Sequence, residues 1–342
     1  MPGPASGAQP SRRIEWLFGD VEAPSIIASM MTRRRFLIDT PAGLSLLALS
    51  RASRADAGRG SGAQGQDPTR FQIACMTLPY ARVPLQRALE GIAASGYKYV
   101  AWGTTHIETS GKRVPVIAAD AKPADAGKLA DRCRDLGLEP VMMFAGIYVG
   151  ADGAVEAHRR RIEQAEAAGI PQVLTFGHTE GGKYRQWIEN LQELGPFAKS
   201  AGVTVVVKQH GGETGTGEAT AKIVREVAHE AVRVNYDAGN VMDYLNVDPI
   251  PDVLKCVDVI RSFCIKDHRN YPEDQDCGPG FGEIDHYRLL APVAFTGLDM
   301  PLACENIFAP VVPRPSTPEG VDHLARIARE YLELVIRGLQ HA

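Results

Sequence analysis

Nowhere do two of the chain's six cysteines, at positions 75, 133, 256, 264, 277 and 304, fall at CxxC spacing. A structural zinc ribbon and a dense disulfide framework are therefore not indicated. The chain also lacks an uninterrupted apolar run of about 20 residues, the length a membrane-spanning helix needs. Clustered positive charge is missing from the body of the chain. The formal net charge is -4, and the first 57 residues hold seven arginines and five acidic residues, so the remainder carries 30 basic against 36 acidic groups, or -6. That balance argues against a nucleic-acid groove, which requires a basic surface.

What the front of the chain does contain is Thr32 to Ile38, TRRRFLI, followed by a weakly apolar run to Leu49 and the small-x-small sequence Ala55-Asp56-Ala57. This resembles a twin-arginine export signal, with Arg33 and Arg34 as the pair and cleavage after Ala57. A membrane anchor is the bland alternative. Phe36 to Leu49 is short for a span and carries Asp39, Pro41 and Gly43. The expectation is a periplasmic or otherwise exported protein that meets the twin-arginine translocation machinery in transit and has no stable membrane span. Residues before Met30 show no periodicity and read as a long leader or an over-extended reading frame. Gly58 to Pro68 reads as flexible linker. The expected organisation is thus 1–57 leader, 58–69 linker and 70–342 a single folded domain.

The organising stretch of that domain is Val203 to Gly217, VTVVVKQHGGETGTG. Its β-branched run reads as a strand buried on both faces, ending in Lys208, Gln209 and His210. Gly211, Gly212, Gly215 and Gly217 follow before a helix near Glu218, a loop compatible with close backbone approach to a ligand such as phosphate. Elsewhere a phrase recurs in which a helical stretch ends in a residue plus glycine and a strand begins: Ser95-Gly96, Leu136-Gly137, Ala168-Gly169, Ala201-Gly202 and Thr296-Gly297. Glycine just past a helix end is the left-handed cap, so each phrase marks a return from helix to strand.

The strands so placed are Gln72 to Met76, Tyr99 to Trp102, Pro140 to Phe144, Gln172 to Phe176, Thr204 to Lys208, Arg233 to Tyr236, Arg261 to Ile265 and Pro301 to Cys304. Helices are expected near Leu85 to Ala94, Ala124 to Leu136, Ala154 to Ala168, Tyr184 to Ser200, Glu218 to Ala228, Asp252 to Cys256, Asp285 to Leu290 and Pro318 to Arg337. This alternation predicts an α/β fold, a closed (β/α)8 TIM barrel in one domain. An open doubly wound sheet would more often carry a Gly-rich nucleotide fingerprint after its first strand, where this chain has Thr77-Leu78-Pro79-Tyr80.

In such a barrel function sits at the carboxyl ends of the strands. Those ends hold His178, then Lys208 and His210, then Asp237 and Asn240, then Cys264, Lys266, Asp267, His268 and Arg269, and finally Glu305. The segments NYDAGN (235–240), CIKDH (264–268), GPGFGEID (278–285) and LACENI (302–307), in that order, resemble the xylose-isomerase-like TIM barrels, which include many sugar isomerases and epimerases. The resemblance spans roughly Gln72 to Arg337. It implies a divalent cation, Mn, Zn or Mg, held by a Glu, an Asp, a His and a Glu from successive strands. Here Asp237 and Glu305 keep two of those positions, while Lys208 and Cys264 stand at the others.

Two arrangements follow. In one a metal persists on His210, Asp237 and Glu305, with His268 or Cys264 added. In the other Lys208 itself supplies the positive charge between two carboxylates. Isomerisation or epimerisation of a sugar needs a base beside a carbonyl and a cation over the enediolate oxygen. Lys208, His210 and Glu305 are the candidate catalytic groups, and His178, Asn240, Lys266, His268 and Arg269 the candidate substrate-binding groups. An exported barrel would meet free sugars, keto-sugars or glycosides, and the same first step could expel a leaving group in a keto-glycoside lyase. A non-catalytic carbohydrate-binding barrel is the alternative from another class. The DNA-repair endonuclease branch is disfavoured by the acidic balance and the changed ligands. An oligomer is compatible with all of these. Trp102 and His106 are expected to line the wall, and His158, His229 and His323 to be solvated.

Overall fold

A computed structural model describes residues 67–178 and 183–340. The export segment, and all of the linker before residue 67, lie outside the described residues. Strands β1 (Arg70–Met76), β2 (Tyr99–Trp102), β3 (Glu139–Phe144), β4 (Gln172–Phe176), β5 (Thr204–Lys208), β6 (Val232–Tyr236), β7 (Ile260–Ile265) and β8 (Asp299–Cys304) coincide with the expected strands to within two residues. They close in the order β1-β8-β7-β6-β5-β4-β3-β2. Every neighbouring pair is parallel. This is the eight-stranded parallel barrel that the alternation of strands and helices implies.

The helices α1 (Leu85–Ala94), α2 (Pro123–Asp135), α3 (Ala154–Ala168), α4 (Tyr184–Ser200), α5 (Gly217–Val227), α6 (Ala238–Leu245), α7 (Pro249–Val253), α8 (His286–Leu290) and α9 (Pro318–Gln340) link and cover the strands. All five glycines of the recurring phrase take positive φ, from 67° at Gly202 to 86° at Gly96. Each ends a turn that an L side chain would strain.

Alternation along each strand decides what faces the barrel axis. Val205, Val207, Val232, Val234, Tyr236, Phe263, Ile265, Leu302 and Cys304 join the core between sheet and helices. Their neighbours Val206, Cys264 and Ala303 join a separate inner cluster with Met142, Phe144, Leu174 and Phe176. Because the side-chain period is 2, the same inner row continues through Lys208 on β5, Cys264 on β7 and Lys266 just past it, and Glu305 just past β8. At the β6–β7 junction the register shifts between Val234 and Asn235. Asn235 compensates there: its Oδ1 accepts the Cys264 N–H at 3.1 Å and its Nδ2 donates to Ser262 Oγ at 2.8 Å.

Several expectations are corrected. The chain is anchored from Thr69, which the linker had included; its side chain is buried and its hydroxyl meets that of Thr296 at 2.7 Å. Between β6 and β7 the only expected helix was Asp252 to Cys256. Instead α6 begins at once, because Asp237 caps it by accepting the Asn240 N–H at 2.9 Å, and α7 ends at Val253. Trp102 points outward into the helix-facing core, not into the wall of the mouth. His158 is fully buried, with Nδ1 2.7 Å from Ala154 O and Nε2 2.9 Å from Thr175 Oγ1. Cys264 and Cys304 face opposite sides of the sheet, and all six cysteines are free thiols.

The glycine loop also differs. Gly211 and Gly212 turn the chain with φ of 77° and 56°. The amides that open α5, however, already hold an anion of the protein's own: Asp252 Oδ2 accepts the Gly217 N–H at 2.6 Å. A helix start occupied in this way has no vacant amide pair for phosphate.

Candidate active site

At the mouth, Lys208 Nζ lies between two carboxylates, 2.5 Å from Glu305 Oε2 and 3.0 Å from Asp237 Oδ2. A second ammonium sits beside them. Lys266 Nζ donates to Asn240 Oδ1 at 2.5 Å and pairs with Asp276 Oδ2 at 2.9 Å. It is 3.8 Å from Asp237 Oδ2 and 4.0 Å from Glu305 Oε2. Gln209 fixes this arrangement from below, its Oε1 accepting the Asp237 N–H at 2.8 Å and its carbonyl accepting from Asn240 Nδ2 at 2.6 Å. The side chains of Lys208 and Asp237 are almost wholly buried, at 1% and 0% exposure, whereas Glu305 keeps 8% and is the more reachable of the two carboxylates that flank Lys208.

The charges follow from competition between burial and pairing. Burial would discharge Lys208, but Glu305 and then Asp237 outweigh it and raise its pKa above the ordinary lysine range. Burial likewise opposes ionisation of Glu305, yet Lys208 and then Lys266 bring it down to about 2. Asp237 is raised, because burial is only partly offset by Lys266 and Lys208. Asp276, also buried, is held at about 2 chiefly by Lys266.

The other candidates stand around this cluster. His210 packs against Phe176, Tyr148 and Tyr244, with ring centroids 5.4, 6.0 and 5.4 Å away. Its Nδ1 is 3.2 Å from the Tyr148 hydroxyl and its Nε2 is 3.3 Å from the Tyr244 hydroxyl. Burial, then the Lys208 charge, lowers its pKa to about 3, so the imidazole is neutral at working pH. His178 lies against Tyr148, with centroids 5.4 Å apart. His268 is on a hairpin after β7, in which 267–269 pair with 275–277. Arg269 turns to the Tyr271 carbonyl at 2.7 Å, away from the cluster. His106 is buried, with Nδ1 3.0 Å from the Val83 carbonyl.

The arrangement brings Lys208, Asp237, Asn240, Lys266 and Glu305 together, gives Gln209 at the polar end of β5 a positioning role, and adds groups the sequence had not singled out: Asp276, Tyr148 and Tyr244. Asp276 sits in the hairpin opposite His268 and has no strand end to announce it.

Gly239, in the first turn of α6, makes room for Lys266. A Cβ there would stand 2.6 Å from Lys266 Cγ and 2.7 Å from Cε. Because Lys266 Nζ is tied to Asn240 and Asp276, its stem cannot swing away without breaking those contacts. Gly239→Ala is expected to lower turnover about 100-fold, the order of loss that accompanies an ångström of misplacement. Steady-state kinetics alongside circular dichroism check this, and wild-type turnover in a folded variant would contradict it.

A buried neutral histidine contributes to the pH dependence of stability on the acid side. Burial lowers His158 from 6.5 to about 4. A group whose folded pKa is depressed contributes stability that is complete above its unfolded pKa and disappears as pH falls through its folded value. For His158 the window is pH 6.5 down to 4, and at most about 3 kcal/mol is involved. Urea unfolding at pH 7 and pH 4.5 should show a lower midpoint at pH 4.5, with a smaller difference in His158→Gln.

Asp237, Cys264 and Glu305 each offer a ligand atom, all within 4.8 Å of one another; His210 is outside this group, its nitrogens facing the two tyrosines. The place a cation would take is filled by Lys208. A dication bound to the same two carboxylate oxygens would crowd a full positive charge that already lies 2.5 and 3.0 Å from them. Burial also pushes the Cys264 thiol well above the ordinary range, with Lys208 only partly offsetting it. The donor set does not fit a resident divalent cation at this position.

Eight parallel strands closed into a barrel, with charged side chains gathered past the carboxyl ends of β5 to β8, define the described residues as a (β/α)8 TIM barrel. Residues 89–327, more than half of the chain, match the family described as xylose isomerase-like TIM barrel, and the chain belongs to that family.

Solved structures similar to it include three at low identity. A xylose isomerase-like TIM barrel/4-hydroxyphenylpyruvate dioxygenase fusion protein is 20% identical at a TM-score of 0.60 over 79% of this chain, which spans 44% of the fusion's length. A xylose isomerase-like TIM barrel protein from Mycobacterium smegmatis, in complex with magnesium, is 15% identical at 0.59, covering 79% and 97% of the two chains. The D-allulose 3-epimerase from Methylomonas sp., in complex with D-allulose, is 17% identical at 0.57, covering 79% and 99%. These likenesses establish the fold. No curated protein sequence matches the chain.

Proposed function

We propose that the protein is a sugar isomerase or epimerase that removes a proton beside the carbonyl of a sugar or keto-sugar, with the Lys208 ammonium in the place of the family's metal. The observation that carries this reading is the Lys208 charge held between the fully buried Asp237 and the partly exposed Glu305. Glu305 is the base and Lys208, with Lys266 beside it, stabilises the enediolate oxygen.

A carboxylate whose pKa is near 2 is a weak base in the resting site. As negative charge develops on the substrate oxygen, the ammonium's hydrogen bond passes to that oxygen and Glu305 becomes more basic when it must take the proton. His210 is the poorer candidate for base, because its pKa is lowered to about 3 and both nitrogens face tyrosine hydroxyls. It serves with Tyr148, Tyr244 and His178 as a wall against which hydroxyls are oriented.

An unphosphorylated substrate fits better than a sugar phosphate. Two ammoniums in the cluster face three carboxylates, those of Asp237, Glu305 and Asp276, so no surplus cation remains there. The start of α5 is filled by Asp252. Export through the twin-arginine route, which we propose from the leader sequence alone, would agree with free sugars or keto-sugars as the encountered class. Among the described residues no helix is long and apolar enough to cross a membrane.

Incubation with a panel of ketoses and keto-sugars in deuterated water tests the reading. Deuterium at the carbon beside the carbonyl is expected with wild type and a loss of about 10²–10⁴-fold with Glu305→Gln. No incorporation into any member by folded wild type is the result for a mere binder and would remove the enzymatic reading; loss of a substituent after exchange would identify the lyase variant.

A further inference from the structure

Beyond the central cluster, Asp276 links outward to a second convergence of ligand groups. His268 is fully buried on the hairpin that follows β7, directly opposite Asp276 in register. Its Nδ1 is 3.1 Å from Asp276 Oδ1, whose carboxylate is itself held by Lys266 at 2.9 Å. The other nitrogen, Nε2, is buried without a hydrogen-bond partner. It faces Asp274 Oδ1 at 3.3 Å. Asp243, from α6, completes the group, and the three ligand atoms of Asp243, His268 and Asp274 lie within 4.8 Å of one another.

Each part has the chemistry of a metal ligand. An imidazole that binds metal through one nitrogen characteristically gives its other N–H to a carboxylate, which fixes the ring and raises its basicity. Asp276 stands where that carboxylate belongs, and Nε2 is aimed at two further carboxylates with no hydrogen bond of its own. The bland reading is an imidazolium held by acidic neighbours, and the charge count does not favour it as the whole explanation. Asp243, Asp274, Asp276, Asp237 and Glu305 make five acidic groups against Lys208 and Lys266, so even a charged His268 leaves the ensemble negative.

We propose that Asp243, His268 and Asp274 form a divalent-cation site at the rim of the mouth, separate from the Lys208 cluster, for a first-row metal of the zinc or manganese class. One imidazole and two carboxylates suit such ions better than an all-oxygen cage for calcium or magnesium would. Three protein ligands leave at least one position for water, and the exposure of Asp274, at 71%, keeps that position accessible.

Tag-free protein, dialysed against chelator and then chelator-free buffer, is titrated with Zn(II) by calorimetry and with Co(II) by visible absorption. The expected result is one equivalent bound in wild type and in Glu305→Gln, at least 100-fold weaker binding in Asp243→Asn/Asp274→Asn, and about 10–100-fold weaker binding in Asp276→Asn. Asp274 is exposed, so its replacement leaves the fold intact even if a substitution at His268 does not. Absence of Zn(II) and Co(II) uptake by wild type, or uptake unchanged in the Asp243→Asn/Asp274→Asn variant, would overturn the site.

Discussion

Replacing Lys208 by Met is expected to destabilise the protein by about 3–5 kcal/mol at pH 8 and to abolish exchange activity. The side chain is 1% exposed and its ammonium is the nearest cation to both Asp237 and Glu305. Methionine fills the volume of the stem but leaves two carboxylates buried together. Lys266 remains 3.8 and 4.0 Å away and compensates in part. Asp237, already raised, then rises further because the Lys208 charge that lowered it is gone. An acid whose folded pKa is raised contributes stability that is complete below its unfolded pKa and lost as pH climbs through the folded value. The deficit relative to wild type should therefore be larger at pH 8 than at pH 5. Adding Asp237→Asn should recover part of it, and urea unfolding of the four proteins in the cycle measures this. A loss under about 1 kcal/mol at pH 8 would mean that Lys208 is not the charge that holds the pair.

The second large effect runs the other way. Lys208→Glu with Cys264→His puts carboxylate and imidazole at the two positions where the family resemblance implies metal ligands, beside the Asp237 and Glu305 that are already there. Cys264 Sγ lies within 4.8 Å of both of their ligand atoms, so an imidazole at that position reaches them. In the metal-free state the larger ring in the inner cluster costs about 1–3 kcal/mol, on top of at least the roughly 3–5 kcal/mol expected from removing the Lys208 charge between the two carboxylates. Saturation with Mn(II) at 100 times the dissociation constant should return about 2.7 kcal/mol. Made in an Asp243→Asn/Asp274→Asn background, which removes the rim site, the double change should give a melting temperature that rises with Mn(II), whereas the parent background should not respond. Equal responses would contradict the assignment of these two positions.

Much of this architecture is legible in the sequence, for identifiable reasons. A strand buried on both faces must be continuously apolar, and a helix returning to a strand needs a left-handed residue, so runs such as Val203 to Val207 and phrases such as Leu136-Gly137 declare themselves. The ends of those runs then placed Lys208, Asp237 and Glu305 without further information. What the strand pattern does not carry is the structure of the connections. Asp237-Ala-Gly-Asn240 resembles a turn, yet the Asp side chain caps Asn240 and starts a helix, a spacing that N-cap chemistry could have suggested. The burial of His158 was also open to discovery, since Ala154, His158, Ile162 and Ala165 share one helical face and all four are buried. Asp276 and Tyr244 gave no such signal, because they reach the mouth through a hairpin and a surface helix whose paths depend on tertiary packing.

Anomalous diffraction from crystals soaked in Mn(II) tests the central assignment most directly. A Lys208 ammonium that replaces the family's metal predicts no anomalous peak between Asp237 and Glu305, with Lys208 Nζ in density within hydrogen-bonding distance of both. A peak about 2.2 Å from an oxygen of each carboxylate, with Lys208 displaced, would contradict it.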